Sequence, residues 1–229
     1  MAEPRYQRRK EERPQEITDA AFSVFAEKGY ASARVDEVAS RAGVSKGLLY
    51  LYFRTKEELF KAVIKSVVIR RVDALVLAVA QTELSSEEFI RGPLLDFMKR
   101  VPGSPIAIVI RLLISEGHKH PDLVDYYWDN VVSKGLTAIS SFIERGVRRG
   151  EFEDTAITKQ PQLVLAPVML AVIWRILFTE RSLDTDKLME TQVDMILTYI
   201  KVWPEQQNEV QDTTFGRSTD ACGVLRRGR

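Results

Sequence analysis

At 229 residues the chain is sized for one large domain or two small ones. Apolar residues make up 45% and charged residues 28%, with 33 Lys+Arg against 32 Asp+Glu, which excludes disorder as the dominant state. A lone cysteine, Cys222, excludes an intramolecular disulfide and a multi-cysteine zinc site.

In chain order, residues 1–13 carry Arg5, Arg8, Arg9, Lys10 and Arg13 and read as a flexible basic arm without the apolar core of a signal peptide. Ile17, Ala21, Val24 and Phe25 then recur at helical spacing, and Gly29 stops that helix. Short helices follow near residues 35–42 and 45–53, with Gly43 between them. A longer helix starts at Lys56, with Leu59, Phe60, Val63, Ile64 and Val67 on one face, and reaches about Ala80. Ser85-Ser86-Glu87-Glu88 is a helix start, a hydroxyl cap followed by first-turn carboxylates. Residues 105–118 are rich in β-branched residues, but no partner strand exists elsewhere, so they read as helix. Further helices span about 121–149, 161–179 and 184–203, and residues 204–229 lose periodicity and read as a disordered tail that holds an inert Cys222. The longest apolar run, 163–174, carries Pro167 and is short of the ~20 residues that cross a bilayer, so a cytoplasmic protein is expected. The sum is an all-α chain of about nine helices: an arm at 1–13, a three-helix domain at 14–60, a larger bundle at 61–203 and a tail.

The segment 35–53 constrains itself sharply. Two helices that cross closely need a small residue in the first, and Ala39 supplies it. The turn needs a positive φ, and Gly43 adopts one without steric cost. Val44 packs inward with Leu49, and Ser45 caps the second helix. Lys46, Tyr50 and Tyr52 then remain outward, with the reach for a major groove and its flanking phosphates.

The run Ala42-Gly43-Val44-Ser45-Lys46-Gly47-Leu48-Leu49-Tyr50-Leu51-Tyr52-Phe53, with Ile17-Thr18-Asp19-Ala20-Ala21 and Phe25-Ala26-Glu27-Lys28-Gly29-Tyr30 before it, resembles the N-terminal domain of the tetracycline-repressor (TetR) family. The resemblance covers about fifty consecutive residues and extends to the rest of the chain only in length and helical character. It implies that Lys46 reaches a base edge or phosphate, that Gly47 allows close backbone approach, and that Tyr50 and Tyr52 touch phosphates or thymine methyls. Lys56 would hold a phosphate at a helix N-terminus. Ser45 completes the motif as its cap. Arg34 stands where the family usually has a capping Thr or Ser, and is assigned a phosphate instead. Leu48 replaces a frequent Thr, so specificity should lean on DNA shape and on the arm.

The resemblance also implies a small-molecule effector, apolar or aromatic, held in the larger domain. Phe97, Met98, Ile110, Arg111, Tyr127, Trp128, Met169 and Trp174 are the candidate lining. Two copies should pair through the last two helices, because the apolar surface of 163–178 is too broad for a one-sided helix and a two-fold assembly reads a palindrome. Partners are therefore double-stranded operator DNA, a second copy and an effector, with no cofactor and no membrane. Glu116, His118 and His120 read as a helix end and not as a metal site. No Gly-rich phosphate loop or Gly-x-Ser-x-Gly elbow is present, so an enzyme is not expected. The expected function is a ligand-released repressor, with an activator or dual regulator of the same fold, or a protein-binding adaptor, as alternatives.

Overall fold

Helix α1 (Arg5–Ser32) buries Ile17, Ala21, Val24 and Phe25 on one face, as the spacing predicts. It is interrupted at Gly29, whose φ of 78° and ψ of 164° leave helical space. A computed structural model describes the chain over residues 5–201, with side chains from residue 12 onward. Residues 5–13 do not form the expected arm but extend α1, because Arg, Gln, Lys and Glu, all strong helix formers, fill the stretch. Residues 1–4, the proposed tail at 204–229 and Cys222 lie outside the described residues.

Helices α2 (Val35–Arg41) and α3 (Lys46–Tyr52) form the helix-turn-helix, and α4 (Lys56–Ile64) packs behind them on α1. A three-ring cluster fills this small domain. Phe60 meets Phe25 edge-on at 5.4 Å and Tyr30 at 5.2 Å.

The larger domain consists of α5 (Arg70–Gln81), α6 (Ser86–Phe89), α7 (Leu95–Arg100), α8 (Pro105–Glu116), α9 (Pro121–Tyr127), α10 (Ser133–Arg148), α11 (Gln162–Leu177) and α12 (Thr185–Ile200). Three π-turns join α4 to α5, α6 to α7 and α9 to α10, so the twelve α segments make nine continuous rods among the described residues. The second π-turn holds Gly92-Pro93, and its wider ladder accommodates the missing proline N–H. Residues 105–116 are helix, and the described residues contain no strand beyond a single bridge between Phe152 and Lys201. The Ser85 signal forms a full capping box, with the Ser85 hydroxyl accepting from Glu88 N–H at 3.3 Å and the Glu88 carboxylate accepting from Ser85 N–H at 3.0 Å.

One glycine is required by proximity. A Cβ on Gly146 would lie 2.4 Å from the Phe152 ring, so α10 approaches that loop only with glycine there. Among the described residues, no helix is long and apolar enough to cross a membrane.

Candidate functional site

The turn between α2 and α3 closes by two backbone bonds. Val44 N–H reaches the Ala39 carbonyl at 3.0 Å, and Gly43 N–H reaches the Ser40 carbonyl at 3.1 Å. That pair satisfies the last carbonyls of α2 when the following residue is left-handed, and Gly43 has φ 64°. Ser45 then accepts from Leu48 N–H at 3.1 Å and starts α3. Two ion pairs set α2 against α1: Arg41 holds Glu27 through two bonds of 2.5 and 2.8 Å, and Lys28 holds Glu37 at 2.7 Å.

α3 buries Leu49 and packs Tyr52 and Phe53 on the core, which leaves the opposite face outward. That face carries Gly47, Tyr50, Leu51 and, just past the helix, Arg54, at the i, i+3, i+4, i+7 spacing of one stripe. Lys46 is exposed beside it and paired with Asp36 of α2 at 2.7 Å, a contact that raises its pKa. Arg34 is exposed, precedes α2 in extended conformation and offers no side-chain cap. Arg34, Ser45, Lys46, Gly47 and Tyr50 are thus all exposed, with Arg34 and Tyr50 near enough to Lys46 to act on its charge.

Two predicted positions differ. Tyr52 is half-buried instead of outward, since it is three residues from Leu49 and shares its face. Lys56 does not project. Its ammonium donates to the Ala31 carbonyl at 2.9 Å and lies 4.6 Å from the Tyr30 ring centre, and burial lowers its pKa. The cation meets a carbonyl near the end of α1, just after the Gly29 break. Leu51, unremarked in the sequence, is 80% exposed, the most exposed large apolar side chain described. Its position in the 47, 50, 51, 54 stripe was the available signal.

In the larger domain, two adjacent spaces lie along α10. One is a groove of about 430 Å³ between α5 and α10, and the other is a narrow seam of about 20 Å³ that shares four lining residues with it. None of the eight residues expected to line an effector pocket lines either one. Met98 and Ile110 are core, and Phe97 packs on it. Arg111 is exposed and donates to the Ala26 carbonyl at 2.8 Å, which fastens α8 to α1. Trp128 and Met169 face outward. Trp174 stacks on Phe178 at 4.8 Å and donates to the Arg181 carbonyl at 3.0 Å. Burial pushes the Tyr127 phenol up to about 12, yet it opens into neither space. Of the aromatic candidates, Phe97 and Tyr127 pack on the core while Trp128 faces outward, so aromatic content did not locate either space. The groove is lined instead by Val76 and Val79 of α5 with Ala138, Phe142 and Arg145 of α10. The His120 ring packs edge-on against Tyr30 at 4.9 Å, while His118 is exposed.

Comparison with known proteins agrees with this architecture. The family model for bacterial regulatory proteins of the tetR family matches residues 17–63, and the tetracyclin repressor-like C-terminal domain matches residues 92–196. The chain is 46% identical over 72 residues to the HTH-type transcriptional activator FasR of Mycolicibacterium smegmatis, 31% of the length of each protein. It is 26% identical over 148 residues to the fatty acid metabolism regulator protein of Bacillus subtilis, covering 63% of this chain and 74% of that one. The structure of FadR from Bacillus subtilis in complex with stearoyl-CoA superposes with a TM-score of 0.66 at 20% identity, over 80% of this chain and 97% of that one. With its helix-turn-helix, its helical second domain and both family models in register, the chain belongs to the TetR family of transcriptional regulators.

Proposed function

We propose that the protein is a cytoplasmic homodimeric repressor that leaves a palindromic operator when a small apolar effector enters its larger domain. The observation that carries this reading is the apolar face that α11 and α12 turn to solvent. Leu163, Leu170, Ile173 and Leu177 are all exposed, and their spacing of seven, three and four residues makes one stripe along α11. Met195 and Tyr199 add an exposed apolar edge on α12, at 64% and 56% exposure. A contiguous apolar face of this kind is a protein-contact surface by default. Two-fold pairing of α11 and α12 would bury it in a four-helix seam and set two α3 helices about one DNA turn apart.

Arg34, Lys46, Gly47, Tyr50, Leu51 and Arg54 are the proposed DNA contacts, because all six are exposed on or beside the motif. Tyr52 and Lys56 serve as supports for that surface. The effector reading is supported by relatives named for fatty acid metabolism and by FadR's capture of stearoyl-CoA. FasR, by contrast, is named an activator, which favours activation as the second reading. The sign of regulation follows from where the operator lies relative to the promoter.

The test combines sedimentation with a footprint on the gene's own upstream DNA. The expected result is a dimer that protects two half-sites about 34–36 Å apart. Ile173→Glu should yield a folded monomer and erase the footprint. A dimer that persists in both Ile173→Glu and Leu170→Glu would move the seam elsewhere, and a protein that protects no sequence would overturn the reading.

A further inference from the structure

We propose that the groove between α5 and α10 is a site for a long-chain amphipathic anion, with Arg145 as the headgroup anchor; the inference rests on the effector-responsive reading above. The volume of about 430 Å³ falls in the range of small-molecule sites. Its floor is apolar, built from Val76 and Val79 of α5 and Ala138 and Phe142 of α10. Its polar groups all come from α10: Ser133, Lys134, Thr137, Ser141 and Arg145, with 133, 137, 141 and 145 at helical spacing.

Arg145 supplies the specific chemistry. Its Nε and Nη2 are both shielded from solvent and neither has a hydrogen-bond partner. The guanidinium lies 5.1 Å from the Phe142 ring centre, so it is held at the end of the apolar floor. Nε–H and Nη2–H share one edge of the guanidinium, the edge that grips a carboxylate or a phosphate in a bidentate pair. Leaving two desolvated donors of a cation unmet is unfavourable, and an anionic head in the groove would satisfy both at once by drawing the guanidinium edge out to meet it. Lys134, paired with Asp73 at 4.0 Å, adds positive charge further along the groove.

The opposite requirement, an apolar tail, is set by the seam. Val76, Val79, Ala138 and Phe142 line both spaces, so groove and seam are separated only by those side chains. At about 20 Å³ the seam holds no more than one water, and its apolar lining keeps it dry. A Cβ added to Gly135 on its wall would meet nothing within 4 Å. An alkyl chain that follows the floor would therefore wedge between α5 and α10. Because α5 runs through a π-turn into α4, that wedge acts on the rod that carries the DNA-binding domain. A hydrophobic cation would meet Arg145 with like charge, and a small neutral aromatic would leave its donors unmet.

The test uses the full chain with palmitate, palmitoyl-CoA and hexadecan-1-ol, titrated below their aggregation concentrations and read by calorimetry. At least one anion should bind, and the alcohol of equal chain length should bind about ten- to a hundredfold more weakly. Binding of palmitate alone identifies a carboxylate head, and binding of palmitoyl-CoA alone identifies a phosphate-bearing one; both support the site. Arg145→Gln should erase the preference for the anion, Arg145→Lys should recover part of it, and Ala138→Trp should block the groove. Equal binding of alcohol and anion, no binding of either anion, or unchanged anion affinity in Arg145→Gln would overturn the proposal. Operator footprinting on the ligand-free protein runs in parallel. Protection of DNA with indifference to both anions defeats this inference alone, whereas no protection defeats the functional reading whatever the chain binds.

Discussion

The Arg111 guanidinium donates to the Ala26 carbonyl at 2.8 Å, joining α8 of the larger domain to the last turn of α1 before Gly29 breaks it. That carbonyl belongs to the set that a helix end leaves unpaired, so an incoming cation is favoured both by the hydrogen bond and by the helix dipole. Arg111→Ala should remove about 0.5–1.5 kcal/mol, toward the low end because the side chain is exposed. The check is a melt, with a drop of a few degrees, and hydrogen exchange that quickens in α1 but not in α12.

Gly43→Val should destabilise the helix-turn-helix by about 1–3 kcal/mol, because a β-branched residue is forced to a positive φ. Space is not the obstacle, since a Cβ there meets nothing within 4 Å. Gly43→Asn should therefore be tolerated, asparagine visiting left-handed backbone far more readily. Equal damage from both substitutions, at unchanged melting temperature, would instead place the Gly43 backbone against DNA.

Lys46 is held by Asp36 at 2.7 Å, so DNA must compete with that carboxylate. Asp36→Asn should strengthen operator binding, while Lys46→Ala should change base preference by about 1–3 kcal/mol at the affected position. Leu51→Ala should weaken DNA binding without lowering the melting temperature, because the side chain contributes little to the core. A melting temperature that falls as for a buried leucine would remove Leu51 from the interface.

Lys56→Gln should lower stability and leave the salt dependence of DNA binding nearly unchanged, since its ammonium is committed to the Ala31 carbonyl. A true phosphate contact would flatten the slope by about one unit. Binding measured across a salt series separates the two.

Acid stability should depend on Glu87. Its carboxylate is held below the ordinary value of 4.5, first by the hydrogen bond from Lys201 and then by Arg91. A carboxyl with a depressed folded pKa stabilises fully above its unfolded value, and that contribution fades as pH falls through the folded one. The Lys201 contact, at 2.6 Å, ties the end of α12 to α6. Glu87→Gln should therefore melt lower than the parent near neutral pH, and the two should converge below about pH 4.5. A constant gap across the whole range would assign the effect to packing.

The helix-turn-helix was legible because its constraints are local. Ala39, Gly43 and Ser45 do their work within a few residues of where they stand, so spacing alone reveals them. Helix starts such as Ser85–Glu88 are local for the same reason. The face of α3 was only half legible: Lys46 and Tyr50 stand out as polar groups with reach, while Leu51, an apolar residue, carries no signal of exposure beyond its place in the 47, 50, 51, 54 stripe. Lys56 is a different case. A lysine at a helix start has the chemistry of a phosphate ligand, and only the return of the α1 end beside it brings the Ala31 carbonyl to its ammonium.

The order of helices, the motif at 35–53 and the apolar surplus of α11 were determined by the sequence itself, because backbone hydrogen bonding and hydrophobic periodicity act between near neighbours. Where the larger domain leaves room was decided only in three dimensions. A void is what side chains from α5, α6, α10, α11 and α12 jointly fail to fill, and no segment records that shortfall. The same holds for Arg145: its sequence neighbours mark a helix edge, and only the packed structure shields two of its nitrogens and leaves them without a partner.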